Sequence, residues 1–268
     1  MNLTEIVPYI LTYNEKENIR TCLDGLLWAK KVIVIDSFSN DGTADIAAEY
    51  SNVRIVQRKF DSHSLQHLFA LDQISTGKWV FRLDADWVVT PRLVAEIESL
   101  DIATDVGGVR IKFLYSIYGE MAPVSLYPPV VALFRNEGAD YVQDGHTERL
   151  IPYGEVVGAN CRLIHEDKKP LDRFLLSQIN YSKLESARFS GISSTKFGWK
   201  ARTRQVPGLS AFLIGLYLLF WKGALFRGRA SLHYALQRVV AELILSLRIL
   251  DERIRDDRKN SWRNDEGL

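Results

Sequence analysis

The stretch that decides the fold is VIVIDSFSNDGT, residues 32–43, in which a short apolar run ends at a polar turn. The four residues Val32-Ile33-Val34-Ile35 are all β-branched. A continuous run of this kind is typical of a strand that is buried on both faces of a parallel sheet. Asp36 and the Ser, Asn and Gly residues after it end the strand and open a loop. The stretch therefore predicts a parallel strand whose carboxyl end carries polar side chains.

The same succession of strand and polar turn recurs on both sides of this stretch. The apolar residues 6–11 end at Thr12-Tyr13-Asn14-Glu15, and the apolar residues 79–83 end at Asp84-Ala85-Asp86. Helical patterns lie between the strands, and this alternation predicts an α/β fold with a mostly parallel sheet flanked by helices. Polar turns follow most strands, but three carboxylate-bearing strand ends in one sheet favour a shared ligand site.

Local signals also predict the helices. Asn14 followed by Glu17 indicates an N-cap and capping box for the first helix. Residues 171–189 have a helical pattern, and apolar residues at steps of three and four from Leu232 to Ile254 form one stripe. The end of the chain is therefore predicted to be a helical extension of the α/β domain.

The composition is that of an ordinary globular protein. The chain has 268 residues, of which 47% are hydrophobic and 25% charged, and these values exclude disordered, collagen-like and coiled-coil proteins. The length is sufficient for a real core. A net charge of +1 lacks the basicity of a nucleic-acid-binding protein, so no nucleic-acid partner is expected. Two cysteines, Cys22 and Cys161, fit a reducing compartment.

The charge is unevenly distributed along the chain. Residues 1–110 carry a net charge of −5, whereas residues 196–229 hold seven basic residues and no acidic one. Within that basic segment, residues 205–221 are uncharged, a length near the lower limit for a membrane span. Two interpretations stay open. The segment is either part of a helical core or an attachment to an anionic membrane surface.

Asp84-Ala85-Asp86 is the most specific of the three polar clusters. Two carboxylates one residue apart, just past a strand, can converge on one hard cation such as Mg²⁺ or Mn²⁺. A divalent cation in this position neutralises the charge of a leaving diphosphate. The motif therefore predicts a divalent metal site at Asp84 and Asp86.

The three motifs, taken in order, resemble glycosyltransferase family 2, whose members are inverting sugar transferases with the GT-A fold. The overall layout is similar to the lipopolysaccharide-core and exopolysaccharide glycosyltransferases of bacteria. The resemblance is close over residues 1 to about 100 and loose to about residue 190. It implies a nucleotide-sugar-binding half at residues 1–108 and an acceptor-binding half at 109–190. The helical pattern and the basic and apolar residues of 191–268 predict a third, helical region that associates with the membrane.

The resemblance also implies roles for individual residues. Contacts with the nucleotide are expected from the residues of the strand-end motifs: Thr12, Tyr13, Asn14, Glu15, Asp36, Ser37, Asp84 and Ala85. Asp36 is expected to bond the ring nitrogen of the base, and Asp86 is expected to ligate the metal. The chain departs from the family pattern at Trp87, where an acidic residue is usual, and at residues 66–71, where a Gln-Arg-Asn-like run is usual.

An inverting transfer needs a base that removes the proton of the acceptor hydroxyl. The dense polar segment Asp144-Gly145-His146-Thr147-Glu148 resembles the family's His/Glu segment. Glu148 is the predicted base, with Asp144 and His146 as rivals, and a plain charged turn around Gly145 is the alternative without function. His165-Glu166-Asp167 is a second carboxylate cluster, which we expect either to pack under the sheet or to support the site.

These observations predict a metal-dependent inverting glycosyltransferase. The expected donor is a nucleotide-sugar, with a UDP-sugar favoured, and the expected acceptor is a glycolipid or polysaccharide of the cell envelope. The start of the chain lacks the basic region of a secretory signal, which predicts a cytoplasmic protein on the inner face of the membrane. Two alternatives stay open: a polyprenyl-phosphate glycosyltransferase, and a non-catalytic binding or scaffold protein with the same fold.

Overall fold

The computed structural model describes residues 1–144, 147–166, 168–190 and 199–265. The chain divides into two compact units, Met1–Lys169 and Pro170–Leu268. The first unit is built from strands and helices, and the second from helices. The functional boundaries that the sequence suggested, at residues 108 and 190, stay predictions.

The first unit contains four helices and eleven strands in its described residues. The helices are α1 Ile19–Asp24, α2 Thr43–Ala48, α3 His63–Asp72 and α4 Pro91–Ser99. The strands are β1 Ile6–Thr12, β2 Val32–Asp36, β3 Val53–Gln57, β4 Trp79–Asp84, β5 Trp87–Val88, β6 Val106–Ile117, β7 Glu120–Ala122, β8 Val130–Arg135, β9 Asp140–Asp144, β10 Thr147–Ile151 and β11 Glu155–Glu166.

Nine of these strands form one sheet in the order β3-β2-β1-β4-β8-β6-β11-β5, with β7 beside β6, and β9 and β10 pair only with each other. β1 is parallel to β2 and β4, and β2 is parallel to β3. β8 is antiparallel to both β4 and β6, and β11 is parallel to β6. The strands β1, β2, β3, β4, β6 and β11 therefore run in one direction. The predicted α/β fold with a mostly parallel sheet is confirmed.

The β-branched run of β2 is buried along its whole length. Val32 and Val34 belong to a core that includes Ile19 of α1, whereas Ile33 and Ile35 belong to a second core that includes Ala70 of α3. Successive side chains of a strand point to opposite faces of the sheet. The continuous apolar run therefore arises because helices cover both faces of β2.

The first helix begins later than the sequence predicted. Asn18 is the N-cap of α1, and Asn14 lies before it with a left-handed φ of 56°, which Asn tolerates better than most residues. The backbone N–H of Asn14 donates to Ser39 Oγ at 2.8 Å, and Asn14 Oδ1 accepts from the backbone N–H of Asn40 at 2.9 Å. The predicted capping box at Asn14 and Glu17 is therefore wrong, because Asn14 ties two loops together instead.

The second unit is helical, as predicted for the end of the chain. It contains α5 Leu171–Ser190, α6 Trp199–Gln205, α7 Leu209–Leu216, a π-helical turn Tyr217–Trp221, a 3-10 turn Ala224–Phe226 and α8 Gly228–Asp265. The long helix α8 packs against α5 and α7. Arg204 of α6 forms a bidentate ion pair with the buried Glu242 of α8, at 2.6 Å for the shortest contact. Within the described ranges, none of the helices combines the length and hydropathy needed to cross a bilayer.

Candidate active site

The polar clusters that end β1, β2 and β4 lie side by side at one edge of the sheet. Thr12 at the end of β1 pairs with Asp36 at the end of β2, and Leu11 pairs with Asp84 at the end of β4. Adjacent strands are about 4.8 Å apart, so the clusters are close neighbours. The structure thus brings together the strand-end residues that the sequence singled out.

Asp36 is fully buried and is fixed by hydrogen bonds. Asp36 Oδ1 accepts from Thr12 Oγ1 at 3.0 Å, and Asp36 Oδ2 accepts from the backbone N–H of Ser39 at 3.0 Å. Next to it, Ser37 Oγ accepts from Gln66 Nε2 of α3 at 2.9 Å. The residue Tyr13 is 58% exposed. Asp36 and Ser37 are therefore held in place by their neighbours, and Tyr13 lies next to Thr12 as an exposed residue.

A cluster of carboxylates occupies the ends of β1 and β4. Burial raises the pKa of Asp84 well above 3.8, the charge of Arg82 opposes this shift, and Asp86 adds to it by repulsion. Burial also raises the pKa of Glu15, against the opposing charge of Lys169. Carboxylates whose charges are disfavoured in this way form a site that binds a cation readily.

Asp84 and Asp86 fit a divalent cation. Asp86 Oδ1 is buried and has no hydrogen-bond partner in the part of the chain that the structure describes, and a cation would satisfy it. No three His, Cys, Asp or Glu side chains converge as a complete cage within residues 1–144, 147–166, 168–190 and 199–265. Mg²⁺ needs no such cage, because it commonly binds through one or two carboxylates and takes its other oxygens from water and phosphate.

Two further groups contact Asp86. Asp86 Oδ2 lies 3.7 Å from His165 Nε2 and 3.8 Å from Lys169 Nζ, and the same ammonium lies 3.0 Å from Glu15 Oε1. The His165 ring stacks on Tyr115 with centroids 4.9 Å apart, and its centroid lies 4.5 Å from that of Tyr127. His165 thus lies beside Asp86. Lys169 adds a positive charge beside the carboxylates, at the place where a diphosphate would approach the predicted metal.

Glu148 lies on β10 with a nearly buried side chain that contacts two basic groups. Glu148 Oε1 forms an ion pair with Arg82 Nη2 of β4 and lies 3.3 Å from His67 Nε2 of α3. Burial acts to raise the pKa of Glu148, but the hydrogen bond from His67 and the charge of Arg82 outweigh it and lower the pKa to about 2. General bases work best when their pKa is near the working pH. These contacts favour the rivals Asp144 and His146 as the base.

The structure describes the backbone of one of the two rivals, Asp144. Asp144 is the last residue of β9, and its backbone pairs with that of Thr147 at the start of β10. His146 lies outside the described residues, and the side chain of Asp144 is not described. The hairpin therefore joins the candidate bases to Glu148 within one short element.

Comparison with known proteins agrees with this geometry. Residues 9–116 match the model of Glycosyl transferase family 2, and this range contains all three strand-end motifs. The chain contains a Glycosyl transferase family 2 domain in this range. Thus the α/β unit of this transferase carries the matched domain. The predicted enzyme class, a glycosyltransferase, is confirmed.

Three proteins with known names are similar to this chain over different shares of its length. The lipopolysaccharide core biosynthesis glycosyltransferase LpsC of Rhizobium meliloti (strain 1021) is 27% identical over 188 residues, which cover 66% of this chain and 69% of LpsC. The SPbeta prophage-derived glycosyltransferase SunS of Bacillus subtilis (strain 168) is 24% identical, and the match covers 63% of this chain and 41% of SunS. The crystal structure of S. aureus TarS superposes with a TM-score of 0.42 at 15% identity, over 90% of this chain and 54% of TarS.

Sequence analysis missed two residues that the structure places at the transferase site. Arg82 lies in the otherwise apolar run of β4 and contacts both Glu148 and Asp84, the latter at 3.9 Å. His67 is buried on α3, and no sequence pattern indicated its partner. A charged residue within a buried strand must be paired, so the position of Arg82 was a usable signal. The partner of His67 could not be found in the same way, because Glu148 is distant in sequence.

Proposed function

We propose that this family 2 glycosyltransferase moves a sugar, with inversion, from a UDP-sugar to a glycolipid or polysaccharide acceptor of the cell envelope. The observation that carries the proposal is the row of Asp36, Asp84 and Asp86 at one edge of the sheet. Family 2 enzymes use nucleotide-sugar donors. The match to LpsC, whose name refers to lipopolysaccharide core biosynthesis, supports the choice of acceptor class.

The donor would lie across the carboxyl ends of β1, β2 and β4. The fixed carboxylate of Asp36 would accept a hydrogen bond from the N–H of the base, and the ring of Tyr13 would cover the base. Asn14 and Glu15 would shape the pocket from β1, together with Thr12, which bonds Asp36 at 3.0 Å. Ser37 would complete it from β2, and Ala85 from the β4 turn. Each of these residues lies on the edge where parallel sheets bind ligands.

Asp84 and Asp86 would hold a divalent cation, which when bound neutralises the charge that the departing diphosphate gains. Lys169, whose ammonium is 3.8 Å from Asp86 Oδ2, would bring a second positive charge to the same side. In the transfer, a base from residues 144–148 takes the proton of the acceptor hydroxyl. The hydroxyl oxygen bonds to the anomeric carbon, and the nucleoside diphosphate leaves from the opposite face with the electron pair of the broken bond.

The base in this proposal comes from residues 144–148. Asp144 is favoured over Glu148, because the pKa of Glu148 is about 2, and a group held so strongly in its anionic form is a weak proton acceptor. A polyprenyl-phosphate acceptor would need no strong base. If the double variant Asp144→Asn/Glu148→Gln keeps full transfer activity, the result would therefore favour a polyprenyl-phosphate glycosyltransferase.

The acceptor class suggests contact with an anionic membrane through residues 196–229, on the cytoplasmic face. Large apolar side chains are exposed at the following positions of this segment: Val206, Phe212, Leu213, Leu216, Tyr217, Phe220, Trp221, Leu225 and Phe226. Trp221 is 82% exposed and Phe226 is 87% exposed. Aromatic side chains beside exposed basic residues such as Arg227 suit shallow insertion among anionic headgroups.

A thermal-shift panel tests the donor. The full chain is mixed with UDP-, GDP-, ADP- and dTDP-glucose, each with and without Mn²⁺. A ligand that binds only the native state stabilises it, by about 2.7 kcal/mol at a concentration of 100 times its Kd. This stabilisation raises the Tm. We expect a shift with UDP-glucose that requires Mn²⁺ and is lost in Asp36→Ala. No shift with any nucleotide would contradict the proposal, and a shift with another nucleotide alone would correct the donor.

A further inference from the structure

The hairpin of β9 and β10 needs an anchor. These two strands pair only with each other and form a two-stranded sheet apart from the main one. An isolated two-stranded hairpin is marginally stable in water. The hairpin packs against α3, and two of its side chains, Tyr141 of β9 and Glu148 of β10, extend into a buried polar group that includes residues of β1, β4 and α3.

These buried side chains are connected one after another by a continuous chain of hydrogen bonds. Tyr141 Oη lies 2.8 Å from Tyr9 Oη, and Tyr9 Oη lies 2.8 Å from His67 Nδ1. His67 Nε2 lies 3.3 Å from Glu148 Oε1, which also pairs with Arg82. The rings of His67 and Tyr141 stack with centroids 4.5 Å apart. These contacts thus connect the hairpin to β1 and β4 of the main sheet and to the helix α3.

The charge of Glu148 fixes the direction of every hydrogen bond in this chain. An ionised carboxylate only accepts, so His67 must donate through Nε2–H. A neutral His67 that donates through Nε2 can only accept at Nδ1, so Tyr9 donates its hydroxyl hydrogen to Nδ1. Tyr9 then accepts from Tyr141. All donors are matched with acceptors only when Glu148 is ionised and His67 is the neutral Nε2–H tautomer.

We propose that Glu148 is a positioning residue, which with Arg82 and His67 locks the β9–β10 hairpin onto the donor-binding sheet. The inference rests on the proposed function, because it assumes that the segment 144–148 supplies the base. It assigns to Glu148 the task of an ionised and paired anchor, so that the proton transfer falls to another residue of that segment.

Hydrogen exchange of the full chain tests the anchor without any substrate. Removing one partner of a buried ion pair leaves the other charge uncompensated, whereas replacing both with apolar residues is often nearly neutral. Glu148→Met and Arg82→Met should each raise the exchange rate of the β9–β10 amides about 100-fold, and the double variant by at most about tenfold. Arg149→Met, at an exposed neighbouring position of β10, should leave exchange unchanged. Wild-type exchange in Glu148→Met would overturn the proposal.

The tautomer of His67 is a second and independent measurement. In ¹⁵N NMR of the wild type at pH 7, the hydrogen of the ring should lie on Nε2, and in Glu148→Met this preference should be lost. A ring that carries its hydrogen on Nδ1, or on both nitrogens, would contradict the hydrogen-bond chain. Arg149→Met serves again as the control, since it leaves His67 and its partners in place.

A third experiment tests whether Glu148 is an anchor or the base. It measures the release of UDP from UDP-glucose in the presence of Mn²⁺, with water as the acceptor. If Glu148 only anchors the hairpin, apolar packing can take its place. The Glu148→Met/Arg82→Met double variant should therefore release UDP at least about tenfold faster than Glu148→Met alone. A double variant that stays inactive while its hairpin is protected from exchange would assign the base to Glu148 and overturn the proposal. If the wild type releases no UDP, the donor proposal fails, and hydrogen exchange and NMR decide the anchor by themselves.

Discussion

At the scale of single residues, the partners of a carboxylate decide in which direction its pKa shifts. Asp84 and Glu148 are both acidic groups near Arg82, yet their pKa values shift in opposite directions. Glu148 has Arg82 and His67 as partners, whereas Asp84 faces Arg82 at 3.9 Å and other carboxylates. A carboxylate is thus held in its anionic form on β10, whereas burial and neighbouring carboxylates disfavour the charge of the one on β4.

The metal site can be tested by replacing Asp86. Asp86→Asn keeps the size of the side chain but removes its charge, so we expect the affinity for UDP to lose its dependence on Mn²⁺ while the protein stays folded. The dependence should be at least about tenfold in the wild type, because a cation between carboxylate and phosphate contributes more than 1.4 kcal/mol. Isothermal calorimetry with and without Mn²⁺ measures it. Asp72→Asn, exposed at the end of α3, is the control, and an Mn²⁺-dependent affinity in Asp86→Asn would contradict the assignment.

His67 makes stability depend on pH. Burial lowers the pKa of His67 from 6.5 to about 4, and the charge of Arg82 adds to this shift against the opposing contact with Glu148. Between pH 4 and 6.5 the unfolded chain therefore binds a proton that the folded chain does not, so stability falls as the pH is lowered through this window. The loss that His67 causes should reach up to about 3 kcal/mol.

Urea unfolding at pH 7, 6, 5 and 4 measures this effect. We expect the free energy of unfolding to fall more steeply for the wild type than for His67→Gln, which has no titrating group at this position. His63→Gln is the control, because His63 lies on the same helix and its side chain is only half-buried. Glu148, whose pKa is also lowered, contributes its own loss at lower pH, between about 4.5 and 2. An equal slope in His67→Gln and the wild type would show that His67 titrates normally.

At the scale of elements, the parallel pair of β6 and β11 depends on a close backbone approach. A Cβ on Gly107 of β6 would lie 1.2 Å from the carbonyl oxygen of Tyr153, just before β11. Gly158 of β11 has open space around its Cβ position. Two glycines of one strand pair therefore differ in whether a methyl group can be added.

Alanine at these two positions should have very different effects. Gly107→Ala forces the backbone before β11 to move, and we expect a loss of at least about 3 kcal/mol in the free energy of unfolding. Gly158→Ala should change it by less than about 1 kcal/mol, because no atom is displaced. Chemical unfolding of both variants gives the comparison. Equal stability of the two variants would mean that the chain before β11 adapts without cost.

The long helix α8 shows the limit of periodicity as a guide to packing. Its apolar stripe was predicted from residues at steps of three and four, yet Leu236, Leu247 and Ile254 of that stripe are exposed. The face that is buried includes the smaller Ala235 together with Leu245. Periodicity identified the helix correctly, because it depends on the chain alone. Which side of α8 is covered depends on its packing against α5 and α7, and the spacing of apolar residues does not predict these contacts.

At the scale of the whole molecule, the uneven charge predicts how the chain meets a membrane. Residues 196–229 contribute seven basic residues and no acidic one to a chain whose total charge is +1. Each basic residue near an anionic surface contributes about 1 kcal/mol. This attraction is screened beyond about 8 Å at physiological ionic strength, whereas insertion of aromatic side chains resists salt.

Co-sedimentation of the full chain with vesicles separates the two contributions. With vesicles of phosphatidylcholine and phosphatidylglycerol, we expect binding that 1 M NaCl releases only in part. The double variant Trp221→Ser/Phe226→Ser should also bind these vesicles, but 1 M NaCl should release it completely. Leu27→Ser/Leu65→Ser removes two exposed apolar residues of the α/β unit and should behave like the wild type. Equal binding to neutral and anionic vesicles, or none to either, would contradict the proposed membrane contact.

The sequence by itself determined the α/β class, the strands β1, β2 and β4, and the three polar clusters at their ends. These features are local, because a β-branched run, a polar turn and an Asp-x-Asp motif each lie within a few residues. Parallel pairing then places the carboxyl ends of neighbouring strands on the same edge, so Asp36 and Asp84 could be expected near each other before their register was known.

Only the tertiary structure decided the state of Glu148. Its partners Arg82 and His67 are more than 60 residues away in sequence, and the burial that holds the three together is a property of the packed hairpin. A pKa depends on the solvent and the charges around the group, and neither can be read from the neighbouring residues of the chain. The position of the polar segment 144–148 was therefore predictable, whereas the assignment of tasks within it depends on which side chains the fold brings together.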